Sequence, residues 1–424
     1  MLTKENNETI SRIGPGTPMG EVMRRYWMPA MLSEELEEID GPPKRVRLLG
    51  EDLVAWRDSE GKIGLMQNSC PHRGASMFFG RNEEAGLRCV YHGWKFDITG
   101  ACVDMPNEPA ESNFKHKIKA TAYPAEERGG VIWAYMGPAD KQPPLPGYEW
   151  ARLPKGHSFI SKTFEDCNWL QALEGGIDSS HSSFAHRTFS NDKATGLRSF
   201  RNRSTAPRLE VVTTPWGYTY ASLRHLQEEN QDYVRCYQFV MPFQQMRAGG
   251  IEGMVDRVWV NGHLWVPIDD YNTYAYNFQY ARDGGPMDKQ QWLNNEHGAG
   301  RGPQDFLPGP DYKLIANSSN DWQIDRTMQK NINFTGITGT NTQDFALQVT
   351  MGPVYDRTKE HLGSADTAII AARRLLLKAV ADVQAGHDPQ GNRGEGDYAR
   401  PAENVIGGDV LWTEFFAKEV VTAS

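Results

Sequence analysis

The chain has 424 residues and a formal net charge of −9, with 45 Lys and Arg against 54 Asp and Glu. That length holds about two or three domains with a large core, and an acidic balance without basic runs excludes nucleic-acid or anionic-membrane partners. No stretch approaches the ~20 apolar residues of a membrane span, MLTKENNETISRIG lacks the apolar core of a signal peptide, and five cysteines point to a reducing cytoplasm rather than a disulfide framework.

Residues 1–36 read as a helical N-terminal arm: a Gly/Pro turn at GPG, then a helix from about Met19. The GPG is a turn and not a phosphate loop, because no strand precedes it and no Walker lysine follows. Residues 37–145 read as a small β domain. Short apolar runs (RVRLLG, DLVAWRD, KIGLMQN) alternate with turn signals at all-β spacing. Two metal-ligand pairs interrupt the pattern: Cys70 with His72, and Cys89 with His92. Zinc sites pair Cys with Cys and His with His at wider spacings. C-x-H followed by C-x2-H supplies two Cys to one iron and two His to the other, as a Rieske [2Fe–2S] centre requires. Two hairpin tips would carry the pairs to one cluster, with the His at the surface where an electron can leave. CPHRGA and CVYHGW resemble the Rieske signature. Cys102 reads as a small buried apolar side chain.

PADKQPPLPGYEW, 138–150, is the domain boundary, and residues 146–424 form the second domain. HSFISKTFED predicts a strand, and a helix begins near Asn168. Five further segments predict an antiparallel sheet: FRNRSTAPRLEVVTT, GYTYASLRH, YVRCYQFVMPFQQMRAG, DRVWVNGHLWVPID and NTYAYNFQYAR. Residues 282–320 read as a surface excursion, and 364–386 as an amphipathic helix packed across the sheet. On the helix begun at Asn168, Asp178, His181 and His186 form D-x2-H-x4-H. Two His and a carboxylate are the usual ligands of mononuclear iron that activates O2. A five-residue step turns the two His roughly 140° apart on an ideal helix. They share a metal only if the helix ends there or is distorted, as by a π-bulge, which Gly175 and Gly176 favour. The remaining seven His (116, 157, 225, 263, 297, 361, 387) read as structural or exposed.

A Rieske motif followed by D-x2-H-x4-H resembles the catalytic subunits of Rieske non-haem iron aromatic-ring oxygenases over nearly the whole chain. IGPGTPMGEVMRRYWMPA, DMPNEP, NWLQALEGGIDSSH and YDRTKEHLGSAD resemble the phthalate 4,5-dioxygenase group. The resemblance implies an α+β fold: an all-β Rieske domain, then an antiparallel-sheet helix-grip catalytic domain of the START/Bet v1-like type. It implies a [2Fe–2S] cluster on Cys70, His72, Cys89 and His92, and Fe(II) on His181, His186 and a downstream carboxylate. NTQDFALQV favours Asp344 for that carboxylate, over Asp321, Asp325, Asp356 and Asp366. Asp178 matches an aspartate that bridges a neighbouring subunit's Rieske His to an iron-ligand His. Asn168 matches a residue near iron, or caps the helix. The implied activity is O2- and NADH-dependent cis-dihydroxylation of an aromatic carboxylate such as phthalate, isophthalate, chlorobenzoate or phenoxybenzoate. A monooxygenase or O-demethylase on the same scaffold, and an electron carrier without chemistry, remain the alternatives. Pocket cations for the carboxylate come from the sheet arginines, of which Arg208 and Arg247 are favoured, with Ser179 as a hydrogen-bond donor. Implied partners are a separate NADH-dependent flavin/iron–sulfur reductase, because no nucleotide fingerprint is present, and other copies of the chain in a homotrimer or stacked homohexamer.

Overall fold

The computed structural model describes residues 1–109, 111–192, 197–392 and 398–420. The N-terminal arm is only partly helical. Thr3 caps a helix at Lys4–Ser11, and Thr17 with Pro18 starts a second at Pro18–Met23; both pack on the helix Thr367–Gln384. Trp27–Leu32, expected to be helical, is a fully buried strand. It pairs antiparallel with Val131–Tyr135, whose other neighbour is Ala125–Arg128. Pro29 is tolerated because this is an edge strand with a register shift just after it.

Two further antiparallel sheets complete the β domain. One is Lys44–Leu48, Glu51–Arg57 and Ile63–Gln67; the other runs Arg81–Glu83, Gly86–Arg88, Lys95–Phe96 and Cys102–Asp104. Alternate apolar residues of both face a core of Val54, Trp56, Met77, Leu87, Trp94 and Phe96. Cys70 and Cys89 are buried at its edge.

The second half is built on an eight-stranded antiparallel sheet. Its order is Ser158–Glu165, Thr273–Ala281, Trp259–Pro267, Gln244–Gly249, Gln231–Val240, Gly217–Leu226 and Arg208–Thr214, with Ala402–Gly407 on Gln231–Val240. Helices Trp169–Ile177 and Thr367–Gln384 lie across it. The second carries its buried side chains (Ala368, Ile369, Ala372, Leu376, Ala379, Val380) at steps of one, three and four, as a gripping helix must. Two expectations change, and one segment to which the sequence assigns no element is a helix. Leu197–Arg203 is a helix, and strand begins only past Pro207, at Arg208. NTQDFALQV is the core of a helix, Thr340–Val349. The excursion 282–320 holds a helix at Lys289–Gly298, capped by Asp288. Among the described residues no helix is long and apolar enough to cross a membrane.

Candidate metal centres and active site

The two cluster loops are built alike. In each, the Cys carbonyl accepts from a glycine N–H four residues on (Gly74, 2.8 Å; Gly93, 3.0 Å). In each, the Cys N–H donates to the carbonyl five residues on (Ala75 and Trp94, both 2.8 Å). Both glycines have positive φ, +76° and +84°, and a Cβ on Gly93 would lie 2.5 Å from Pro106. The loops bring the His72 and His92 rings to 4.5 Å between centroids, with His72 stacked on Trp94 at 4.4 Å. The donor set fits a Rieske cluster. Both thiols are free and buried, and His72 Nδ1 is buried without a hydrogen-bond partner. Burial pushes the Cys70 thiol up to about 11, with Cys89 adding to it, so a bound cation is what would hold Cys70 as a thiolate. Both imidazoles reach the surface beside exposed Val90 and Tyr91.

The second centre forms where a helix stops. Trp169–Ile177 ends with Asp178 as its C-terminal cap, and His181–Ser183 follows as a single tight turn. Phe189 N–H and the Arg187 carbonyl then pair with Ile332 and Phe334. Helix termination, rather than a π-bulge, brings the two His together. Gly175 and Gly176 serve a different purpose from the one expected. A Cβ on Gly175 would lie 2.0 Å from Gln348 Nε2, and one on Gly176 1.9 Å from Trp265, so they let the helix sit close on its neighbours.

His181 Nε2 and His186 Nε2 are 3.2 Å apart, and Asp344 Oδ1 lies 3.6 and 3.2 Å from them. Ligands at ~2.1 Å and 90° around one ion are roughly 3 Å apart, so the three donors fit adjacent positions on a single metal. Among the described residues they are the one set of three His, Cys, Asp or Glu whose ligand atoms all lie within 4.8 Å of one another. Each imidazole is fixed from behind. His181 Nδ1 lies 3.2 Å from Asp178 Oδ2, and His186 Nδ1 lies 2.8 Å from Gln343 Oε1. Gln343 donates its own amide to the Ile337 carbonyl at 2.9 Å, which turns its oxygen toward His186. Both Nδ1 atoms therefore carry the proton, and both Nε2 lone pairs face the metal position. Burial would raise the Asp344 carboxyl, but His186, His181 and Arg247 hold it below the usual range.

The rival carboxylates are engaged elsewhere. Asp325 caps Arg326–Asn331, Asp356 binds Thr358 and Lys359, and Asp366 accepts from Gly363; Asp321 sits in the tight turn Ser318–Gln323. Asn168 is the cap of the site helix, accepting from Leu170 N–H and donating to the Ser11 and Asp270 carbonyls.

A cavity of about 460 Å³ opens on the triad. Ser179 and Arg247 line it, as expected. Arg208 does not: it is 64% exposed and paired with Glu210, because its strand position points away from the cavity. In its place the cavity receives Arg201, from the helix Leu197–Arg203, and Arg235. Arg235 is neutralised by Glu403 at 3.1 Å. Arg201 and Arg247 have no salt-bridge partner among the described residues. Burial, reinforced by Arg235 and Arg301, pushes the Arg247 guanidinium down to about 10. Arg201 and Arg235 are among the seven arginines (198, 201, 203, 208, 224, 235, 247) that the sequence offers as pocket cations, though not the two it favours. Gln343 is the residue whose role the sequence did not single out, its adjacency to Asp344 the one hint.

A surface cluster in one domain and an open-sided metal triad beside an organic-sized cavity in the other divide labour as a Rieske oxygenase does. Residues 26–122 match the family model described as Rieske [2Fe-2S] domain, and residues 134–419 the one described as LigXa C-terminal domain like. The chain is 39% identical to the phthalate 4,5-dioxygenase oxygenase subunit of Pseudomonas putida, over 99% of this chain and 96% of that one. It is 38% identical to the 3-chlorobenzoate-3,4-dioxygenase oxygenase subunit of Comamonas testosteroni, over 89% and 88%. The structure of an NdmA variant of Pseudomonas putida with theobromine shares its fold, with TM-score 0.62 at 18% identity, over 93% of this chain and 99% of that one. The chain belongs to the Rieske non-haem iron aromatic-ring oxygenases, as a catalytic oxygenase subunit of the phthalate 4,5-dioxygenase group. It is an oxidoreductase with a [2Fe–2S] cluster and a mononuclear iron.

Proposed function

We propose that this chain dihydroxylates the ring of an aromatic carboxylate, with the cluster on Cys70, His72, Cys89 and His92 and iron on His181, His186 and Asp344. The observation that carries the substrate class is the pair of cavity arginines, Arg201 and Arg247, which form no salt bridge among the described residues. Two desolvated guanidiniums in one cavity favour an anionic occupant, and their forked donors match one or two carboxylates. When bound, the cluster supplies electrons singly and the iron supplies O2 activation. The protein's own part is positional. Arg201, Arg247 and the Ser179 hydroxyl bind the carboxylate, Trp265 and Phe345 wall the ring, and Asp178 and Gln343 keep the imidazoles aimed.

Electrons come from a separate NADH-dependent flavin/iron–sulfur reductase, for which Val90 and Tyr91 beside the cluster offer an apolar contact. Further exposed apolar residues lie on the segments that carry the iron ligands: Phe184 between His181 and His186, Phe334 in ring contact with it, and Leu347 on the helix of Asp344. Two unlike sets of exposed apolar residues on one chain fit a head-to-tail ring, as a homotrimer or a stacked homohexamer. In that ring Asp178 faces a neighbour's Rieske His and relays the electron. The five free cysteines agree with a cytoplasmic setting.

The test is turnover of phthalate, isophthalate, 3-chlorobenzoate and their methyl esters with a competent reductase under isotopically labelled O2. The acids turn over with two labelled oxygens in a cis-diol and the esters do not. A single labelled oxygen would make the protein a monooxygenase. Arg247→Gln raises KM by about thirtyfold or more, equivalent to about 2 kcal/mol for a lost buried charge pair.

A further inference from the structure

The cavity wall carries an imidazole acceptor beside its guanidinium donors. His263, on the strand Trp259–Pro267, is 4% exposed, lines the cavity, and lies 5.2 Å in ring centroid from Trp265. Its Nδ1 is 2.7 Å from Asn277 Oδ1. The direction of that bond is fixed by what lies behind it. Asn277 Nδ2 reaches only oxygens: Ala275 O at 3.2 Å, Ser161 Oγ at 3.3 Å and Thr163 Oγ1 at 3.5 Å. Ser161 in turn donates its hydroxyl proton to Glu296, a carboxylate held by Arg301. The amide nitrogen of Asn277 must therefore face the oxygens and its carbonyl must face His263, so Nδ1 carries the ring proton. With Nδ1 protonated in a neutral ring, Nε2 is a bare lone pair. It makes no hydrogen bond among the described residues.

Nor can His263 easily take a second proton. Burial holds its pKa well below the ordinary histidine value, and Arg247 and Arg301 add to this. Arg201 and Arg247 offer only donors to an occupant. Nε2 is the opposite, a fixed acceptor on the sheet wall beside Trp265. A carboxylate cannot satisfy it. An O–H or N–H donor can.

We infer that His263 is a specificity-determining residue that accepts a hydrogen bond from a hydroxyl or amino substituent on the substrate ring, so that the preferred substrate is a hydroxy- or amino-substituted aromatic carboxylate rather than a bare one. This rests on the carboxylate reading above and narrows it. A site built to pair a substrate hydroxyl discriminates against analogues lacking it far more strongly than an apolar wall does, because the buried partner is otherwise left unpaired.

The experiment is titration calorimetry on the anaerobic protein with both metals bound. The probes are benzoate, methyl benzoate, the ortho, meta and para hydroxybenzoates, and their O-methyl ethers. At least one hydroxybenzoate binds about tenfold or more tightly than both its ether and benzoate. His263→Leu abolishes that preference, with benzoate bound as tightly or more tightly because no acceptor is left unpaired, and His263→Gln, which keeps an acceptor, retains part of it. Metal content is counted in each variant, and the wild-type comparison and His263→Gln carry the test if the leucine variant does not fold. Absence of any hydroxyl preference in the wild type, or its survival in His263→Leu, overturns the role of His263. Equal binding of benzoate and methyl benzoate overturns the carboxylate reading instead, and the hydroxyl preference is read independently of it.

Discussion

Gln343 touches no metal position, yet it decides which nitrogen of His186 is free to bind one. Its carbonyl accepts from Nδ1 because its amide nitrogen is committed to Ile337. Gln343→Leu leaves that N–H unpaired and the tautomer unspecified. Loss of such an outer partner lowers metal affinity about 10- to 100-fold, measurable by competition with an iron chelator while the cluster's visible absorbance stays constant. Asp344→Ala goes further and removes a ligand. Mononuclear iron is then lost and the cluster retained, as iron analysis against absorbance will report. At this scale the sequence was legible where spacing alone constrains chemistry. Cys70, His72, Cys89 and His92 are tied within two short loops, and His181 and His186 lie five apart. It was silent where rotation decides. Arg208 and Arg247 look equivalent as strand arginines, but one lies on the solvent face and the other in the cavity. His263 looked structural because its partner, Asn277, lies on the adjacent strand, fourteen residues on.

The helix Trp169–Ile177 owes its position to what it lacks on one side and what it holds on the other. Gly175 and Gly176 bring it against Gln348 and Trp265 at distances no Cβ allows. Gly176→Ala forces that contact apart at a cost of about 1–3 kcal/mol, lowering the melting temperature and loosening the iron site that begins two residues later. On its other face Glu174 binds Arg357 and Arg373 at 2.6–3.1 Å, and Arg373 also binds Glu360. Burial would raise the Glu174 carboxyl, but Arg357 and then Arg373 outweigh it and hold it below the ordinary range. A carboxyl lowered on folding contributes stability above its unfolded pKa and loses it as pH falls through the folded one. Glu174→Gln therefore destabilises by about 3–5 kcal/mol near neutrality, and the difference from wild type narrows as the pH of the denaturant titration is lowered into the acid range. The helix was foreseeable from its apolar spacing and Asn168 cap. Its end was not, because Asp178 as a cap and Asp178 as a helical residue read alike without the pairing of 187–189 to 332–334.

At the scale of the molecule, the β domain and the sheet domain each carry a metal site with exposed apolar residues on the same segments, Val90 and Tyr91 in one and Phe184 and Leu347 in the other. A head-to-tail ring predicts complementation. Cys89→Ala, without a cluster, and Asp344→Ala, without iron, are each inactive alone. Co-expressed in one assembly, they recover part of wild-type turnover where an intact cluster meets an intact iron site. Asp178→Asn leaves both metals bound and abolishes coupled turnover. Undiminished activity in that variant, or no recovery in the mixed assembly, removes the relay between subunits. The two-part architecture was readable from motif order. The return of Trp27–Leu32 to pair with Val131–Tyr135 was not, since an apolar run of six fits a buried strand and a buried helix equally well.

The helix Thr340–Val349 gathers several tasks on consecutive turns: Gln343 against His186, Asp344 toward the metal, and Gln348 against Gly175. One inserted residue inside it would swing everything downstream by about 100° and undo the later contacts. Part of the sequence between His186 and this helix carries no such burden, because residues 303–320, past the helix Lys289–Gly298, run mostly over the surface. Length changes should therefore be absorbed between residues 303 and 320 and refused between 340 and 349. Single-alanine insertions walked through both stretches, scored by retained iron, would map the frame within which the site has to be spelled.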